Sequence, residues 1–354
     1  MRPDLGDCHR LHRISDQKLL LILYWGRMNR ANSRHYILAV LGGVGLTLAG
    51  CSAAPTAHVP GSSTYPIVID NCGTQVEISA PPQRVVTIKS SATETLLALG
   101  LEKKIVGSAF ADGPLPDKWQ NAVPVISKAL PAQEPTLAYS PDFIFGGWES
   151  NFSSEGVGER AALEKLGIST YVAPAACLTA GYQPNPLTFE NVFAGITEVG
   201  RIFNVDAAAE LLVTQEREKL AAIVPSDGAH STLWFSSGSD TPYVGGGIGA
   251  PQMMMEAAGL VNVMADVKES WSSASWEVIA ERNPDTIVLV DSSWGSTAKK
   301  MSVLESHPVM SKLEAVKNKR YIVVPFAASE AGVRNVETVQ SVVDQLAALY
   351  GTAP

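Results

Sequence analysis

Two related α/β lobes, separated by a helical stretch, are what the 354-residue sequence predicts. Short β-rich segments alternate with helical ones, the alternation runs twice along the chain, and the segment between the runs holds long proline-free windows. In the first run, Arg84-Val-Val-Thr-Ile-Lys89 reads as a buried strand, and residues 92–99 as a helix ending at Gly100. Ile105-Val-Gly107 and Asp142-Phe-Ile-Phe145 are further strands. A helix over 160–166 stops at Gly167 and leads into Ser169-Thr-Tyr-Val172. The second run has Thr232-Leu-Trp-Phe235, a helix over 252–258, Thr286-Ile-Val-Leu-Val290 and Tyr321-Ile-Val-Val324. A closing helix presents Val336, Val339, Val343, Leu346 and Leu349 on one face. Strands alternating with helices in this way predict a parallel sheet in each lobe.

The two runs share motifs as well as plan. Glu134 stands eight positions before Asp142, and Glu277 eight before Asp285; both aspartates follow a proline and open an apolar strand. Leu99-Gly-Leu echoes Ala258-Gly-Leu. A duplicated unit explains both. Between the lobes, 188–203 and 206–224 contain no proline and end at Pro225. The expected division is therefore an N-terminal lobe over 65–187, a helical connection over 188–225 and a C-terminal lobe over 226–354.

Composition narrows the function. The chain is 46% hydrophobic and carries a net charge of -8. From Cys51 onward, 20 basic residues face 32 acidic ones, a balance of -12. A body that acidic lacks the footprint that nucleic acid needs. Only His58, His230 and His307 lie beyond Cys51, too sparse for a histidine-built metal site. No Gly-x-Ser-x-Gly elbow and no His-Glu-x-x-His is present, so catalysis has little support.

The first fifty residues read as an export signal. Arg30 and Arg34 precede an apolar core over 36–50, too short to span a bilayer permanently. Leu48-Ala49-Gly50-Cys51 resembles a bacterial lipobox, in which the cysteine is lipidated, and 51–64 has the composition of a tether. Met28 would start a signal of ordinary length, with 1–27 an upstream extension. Two cysteines remain in the body, Cys72 and Cys177: they either pair as a disulfide or stand as separate buried thiols.

Lipobox, opening strand, Thr93-Glu94-Thr-Leu-Leu-Ala-Leu-Gly100, two Pro-Asp strands and a bracing helix together resemble one family. These are the substrate-binding lipoproteins of ABC importers for iron–siderophores, haem and cobalamin. The resemblance implies a class III periplasmic-binding-protein-like fold, two Rossmann-like lobes joined by one long rigid helix. It also implies a monomer anchored outside the cytoplasm, no cofactor, a small-molecule ligand between the lobes, and docking to a permease with its ATPase. Asn71-Cys-Gly, Thr87-Ile-Lys-Ser-Ser and Gly147-Trp-Glu-Ser-Asn-Phe152 resemble an actinobacterial branch proposed to import a precursor of coenzyme F(420).

Candidate site residues follow. In that family one exposed glutamate per lobe meets arginines of the permease, and Glu134 and Glu277 occupy the matching registers. Each also suits the first turn of a short helix on dipole grounds alone. Trp148, Trp271 and Trp294 fall in loops, where three tryptophans suit a stacking surface for a flat conjugated ligand. Tyr243 joins this ligand set, and Trp276 is expected to pack within its helix. Lys89, Lys128, Glu149, Glu330 and Arg334 supply charge in the same loops, with Arg334 meeting either an anion on the ligand or Glu330. Gly245-Gly-Gly-Ile-Gly-Ala-Pro251 suits a hinge turn, or an anion cradle in an exported nucleotide-binding oxidoreductase. A structural surface lipoprotein, with scattered tryptophans and no closed cleft, is the third class.

Overall fold

The structure is a computed structural model that describes residues 64–351. The export signal, Met28, Cys51 and most of the tether lie outside the described residues. The chain opens with a hairpin, β1 (Ile67–Asn71) and β2 (Thr74–Ile78), whose two-residue turn is Cys72-Gly73. Both turn residues have positive φ, 53° and 78°, as the tight turn of a right-twisted hairpin requires.

The N-terminal sheet holds β3 (Val85–Ile88), β4 (Ile105–Ala109), β5 (Val125–Ser127), β6 (Phe143–Gly146) and β7 (Ser169–Val172). All neighbours are parallel, in the order β5-β4-β3-β6-β7. The C-terminal sheet holds β8 (Ser231–Ser237), β9 (Tyr243–Gly245), β10 (Val261–Asn262), β11 (Trp271–Ser273), β12 (Thr286–Asp291) and β13 (Tyr321–Pro325). Its central strands β8, β12 and β13 are parallel, as expected, and β10 runs parallel to β8. The sheet as a whole is mixed, because β9 and β11 add an antiparallel edge. They run only three residues each, too short for alternation to mark them as strands.

The sequence repeat has a structural meaning in both lobes. Asp142 accepts the Gln83 and Arg84 N–H groups, clamping the entry to β3. Asp285 does the same at β8, accepting the N–H and hydroxyl of Ser231. Gly100 and Gly259 end the helices Ser90–Ala98 and Ala250–Ala257 with φ of 73° and 76°. In each, the next residue, Leu101 or Leu260, donates its N–H back to Leu96 or Met255 and buries its side chain.

The connection consists of two helices, Phe189–Ile202 and Asp206–Ala222, where the family resemblance implies one. Thr188 caps the first, and Asn204 turns between them at φ 55°. The second has 17 residues, about 25 Å at 1.5 Å per residue. The core crosses the lobes: Phe143 and Phe145, Phe193 and Ile196 of the connection, and Met253, Val288 and Val324 belong to one buried cluster. A hinge embedded in shared packing resists wide opening.

Cys72 and Cys177 form a disulfide, with Cα atoms 5.3 Å apart. It ties the hairpin turn to the segment after β7, which forms part of the cavity wall described below. Closing a loop with a sequence separation of 105 restricts the unfolded chain, so reduction should lower the unfolding free energy by about 2–5 kcal/mol. Denaturant titrations with and without reductant measure this, and coincident curves would contradict it.

Candidate functional site

Strand order reverses at β3, with β4 and β5 on one side and β6 and β7 on the other. Loops after β3 and β6 therefore leave the sheet at the switch point where open α/β sheets hold ligands. Lys89 follows β3, Trp148 follows β6, and Phe326 follows β13 in the other lobe. A cavity of about 440 Å³ lies between them, lined by Trp148, Tyr243, Trp271, Phe326, Glu149 and Glu330 among others. That size is within the range of small-molecule sites.

Aromatic rings form both walls. On the C-terminal side Trp271 stacks on Tyr243 at 6.2 Å and 13°, and against Phe326 at 6.2 Å and 28°. Trp294 meets Phe326 edge-on at 4.7 Å. On the N-terminal side Trp148 contacts Phe110 edge-on at 6.0 Å.

Beneath the Trp148 wall, outside the cavity lining where the sequence had placed it, stands Lys89, only 1% exposed. Its backbone, at φ 78° and ψ 155°, occupies a region that is nearly glycine's alone and costs about 1–3 kcal/mol. Its Nζ lies 3.5 Å from the Trp148 ring centre and 4.3 Å from Phe110, and pairs with the buried Asp112. Asp112 also accepts the Ser90 N–H, which fixes the turn after Lys89. Desolvation pushes the Asp112 carboxyl upward, against the pull of Lys89. A buried ammonium needs this escort of one anion and two ring faces.

Two contacts fasten the lobes across the floor. Arg334, just before the closing helix Asn335–Tyr350, makes a bidentate pair with Glu94 at 2.6 and 2.7 Å and also donates to the Pro114 carbonyl. Trp148 donates its indole N–H to Glu330 across the cleft at 3.1 Å. Burial pushes the Glu330 carboxyl up to about 7, with the Asp112 carboxylate adding to the rise and Trp148, Lys89 and Trp271 opposing it.

Several expected residues sit elsewhere. Arg334 meets neither Glu330 nor the cavity lining, because Glu94, 1% exposed, takes the Nε–Nη2 edge of its guanidinium. Lys128 is exposed on the strand-end loop and does not line the cavity. Trp294, 51% exposed, supports Phe326 from outside the lining. Glu149 lines the cavity, yet its carboxylate is occupied by Leu178 N–H and by the N–H and hydroxyl of Thr179. Desolvation would raise that carboxyl, but these bonds hold it below the ordinary range. The glycine run is no anion cradle: Gly246 and Gly247 donate to the Ser270 and Val267 carbonyls. A Cβ at either would strike the carbonyl of Glu269 or Ala265, so these glycines serve close backbone packing. Trp276 is buried against Phe235 and His307. No group of three metal-ligating side chains occurs among the described residues.

Glu134 and Glu277 are both exposed, in the first turns of the helices Gln133–Leu137 and Trp276–Arg282. Each helix runs back to the amino end of the next strand, so both glutamates lie toward the strand-carboxyl side of their lobes. Sequence reasoning missed Phe326 and Asp112, and named Glu330 only as one of the charges of the cleft loops. Phe326 follows a strand as Trp148 does, and that position is the signal available for it; the Asp112 and Glu330 roles depend on contacts distant in sequence.

Residues 85–328 match the family described as periplasmic binding protein. A cobalamin-binding protein of Halobacterium salinarum is 28% identical over 228 residues, 62% of this chain and 57% of that protein. The match thus spans little more than half of that relative's length. An uncharacterized ABC transporter substrate-binding lipoprotein of Bacillus subtilis, YvrC, is 25% identical over 293 residues, 80% of this chain and 87% of that one. Among solved structures, an ABC-type Fe3+-hydroxamate transport protein of Saccharomonospora viridis superposes with a TM-score of 0.67 at 25% identity. It covers 82% of this chain and 100% of that one.

The Glu330 carboxyl has a pH consequence. Its ordinary value is 4.5 and its folded value about 7. As pH rises between these values the unfolded chain releases the proton first, so the native state binds more protons and loses stability across that window. Glu330→Gln should remove this loss, seen as urea midpoints at pH 5 and pH 8 that lie closer together than in the parent. Parallel pH profiles for parent and variant would contradict it.

Proposed function

This chain belongs to the periplasmic binding protein family, and we propose that it is the lipid-anchored solute-binding subunit of an ABC importer. Members of the family are transport solute-binding proteins rather than enzymes. The ligand of this chain is a flat conjugated molecule of the chelated-iron, haem or cobalamin kind, taken up between the lobes. The observation that carries this reading is the cavity of about 440 Å³ walled by Trp148 from one lobe and by Trp271, Tyr243 and Phe326 from the other. Parallel ring faces on a half-open cleft favour a planar guest. The cobalamin-binding and Fe3+-hydroxamate relatives are consistent with it.

Anchoring rests on Cys51 at the end of the lipobox, and finds a parallel in the lipoprotein relative. Docking rests on Glu134 and Glu277, one exposed carboxylate per lobe, which together fix both attraction and orientation on a basic partner. The chain works as a monomer in this scheme, and the permease with its ATPase supplies the energy of transport.

A thermal-shift panel of Fe3+-hydroxamate, haem, cobalamin and the deazaflavin precursor of coenzyme F(420) tests the reading, since a ligand that binds only the native state raises the melting temperature. At least one should raise it, and Trp148→Ala or Trp271→Ala should weaken that ligand by about 1–3 kcal/mol, as for other stacked rings. Glu134→Ala and Glu277→Ala should leave affinity unchanged and lower transport, most in the double variant. A panel without any shift, or glutamate variants that lose ligand affinity, would sink the assignment.

A further inference from the structure

The charges of the cleft are unevenly spent. Glu149, Lys268, Glu269 and Glu330 are the charged side chains that line the cavity. Lys268 and Glu269 are exposed, adjacent and opposite in sign, so their far fields largely cancel. Glu149 is committed to the 178–179 backbone and to the Thr179 hydroxyl. Lys89 and Arg334, which lie outside the lining, are also committed: Lys89 to Asp112 within its aromatic box, and Arg334 to Glu94.

Glu330 is different. Its carboxylate accepts one bond from Trp148 Nε1, with the Trp271 indole beside it, whereas a carboxylate offers about four acceptor positions. Lys89 offsets only one of the two floor acids, Asp112 and Glu330. With both ionised, Lys89, Asp112 and Glu330 together carry a net charge of about -1, and the Trp148 indole meets Glu330 by its N–H edge. A carboxylate or phosphate on a ligand would meet that field with no uncommitted cation beside Glu330. A protonated nitrogen would gain a charge-assisted hydrogen bond at one of the remaining acceptor positions of Glu330.

Resting on the solute-binding reading above, we infer that the cleft selects a planar conjugated ligand bearing a positive, N–H-donating edge, and that Glu330 is the specificity-determining residue that receives it. Phe326, Trp271 and Tyr243 then stack the body of the ligand, while Glu330 sets which edge enters first. Because burial raises the Glu330 carboxyl to about 7, the preference is fullest above that pH, where the carboxyl is ionised before the cation arrives.

The test uses two tricyclic probes of similar shape, the cation 9-aminoacridine and the anion 9-anthracenecarboxylate. Both are titrated by fluorescence into the full-length protein in detergent at pH 8. The cation is expected to bind at least tenfold more tightly than the anion, and Glu330→Gln, which keeps an acceptor of the same shape without the charge, should bring the ratio to within about threefold. Equal or reversed affinities in the parent, or absence of 9-aminoacridine binding, would overturn the inference, and the parent ratio decides even if the variant does not fold. An unchanged ratio in a folded Glu330→Gln variant would overturn the role of Glu330. Failure of this selectivity alongside a successful panel of neutral or anionic ligands leaves the solute-binding reading standing; failure of every ligand in that panel removes the reading itself.

Discussion

Glu94 and Arg334 come from helices 240 positions apart and meet in one bidentate pair between the lobes. Glu94 is 1% exposed, and a carboxylate so enclosed is tolerable only with its countercharge in place. Desolvation pushes its carboxyl upward, and the Arg334 bonds pull the other way. The pair therefore acts less as a source of net stability than as a geometric demand, since its desolvation cost is recovered only at one spacing of the lobes. Everything at the cleft floor inherits that spacing. Trp148 reaches Glu330 across the same gap, and Phe326 comes within 5.7 Å of the Lys89 ammonium.

The cavity is consequently a joint product of both lobes. One wall stands on the strained turn after β3 and on the loop after β6; the other on the antiparallel edge strands and the segment after β13. Lys89 holds the first wall: its backbone strain is sustained by the Asp112 bridge, the Ser90 amide and the ring face of Trp148. The disulfide stiffens the remaining side through Cys177, itself part of the lining. Shared core packing through the connection means that ligand entry calls for small adjustments of the lobes rather than wide opening. Binding energy is then not consumed by large rearrangement.

What was legible in the sequence was local in origin. Apolar runs marked β3, β6, β12 and β13, Pro-Asp opened β6 and β12, and the duplicated Pro-Asp and glycine stops performed the same task in each lobe. Trp148 was legible because a loop tryptophan has few ways to be buried; Trp271, expected in a loop, reaches the cavity from the edge strand β11 instead. The antiparallel edge was not, since β9 and β11 are too short to show a period. Arg334 was visible as a charge, but Glu330, four positions earlier, proved to be the wrong partner. Which carboxylate it takes depends on how two lobes close, and no local pattern encodes that. Glu330, one of the charges expected in the cleft loops, does line the cavity, and Arg334 is engaged elsewhere.

The claim that this one pair sets the lobes' spacing is tested most directly by a urea double-mutant cycle over Glu94→Gln and Arg334→Gln, with affinity for a ligand of the cleft read on the same four proteins. Each single variant should lose about 3–5 kcal/mol of stability, because it strands a buried charge. The double variant should lose clearly less than the sum, and affinity should fall in all three variants. Additive stability losses together with unchanged affinity would contradict the account, placing the control of the cleft elsewhere in the shared core.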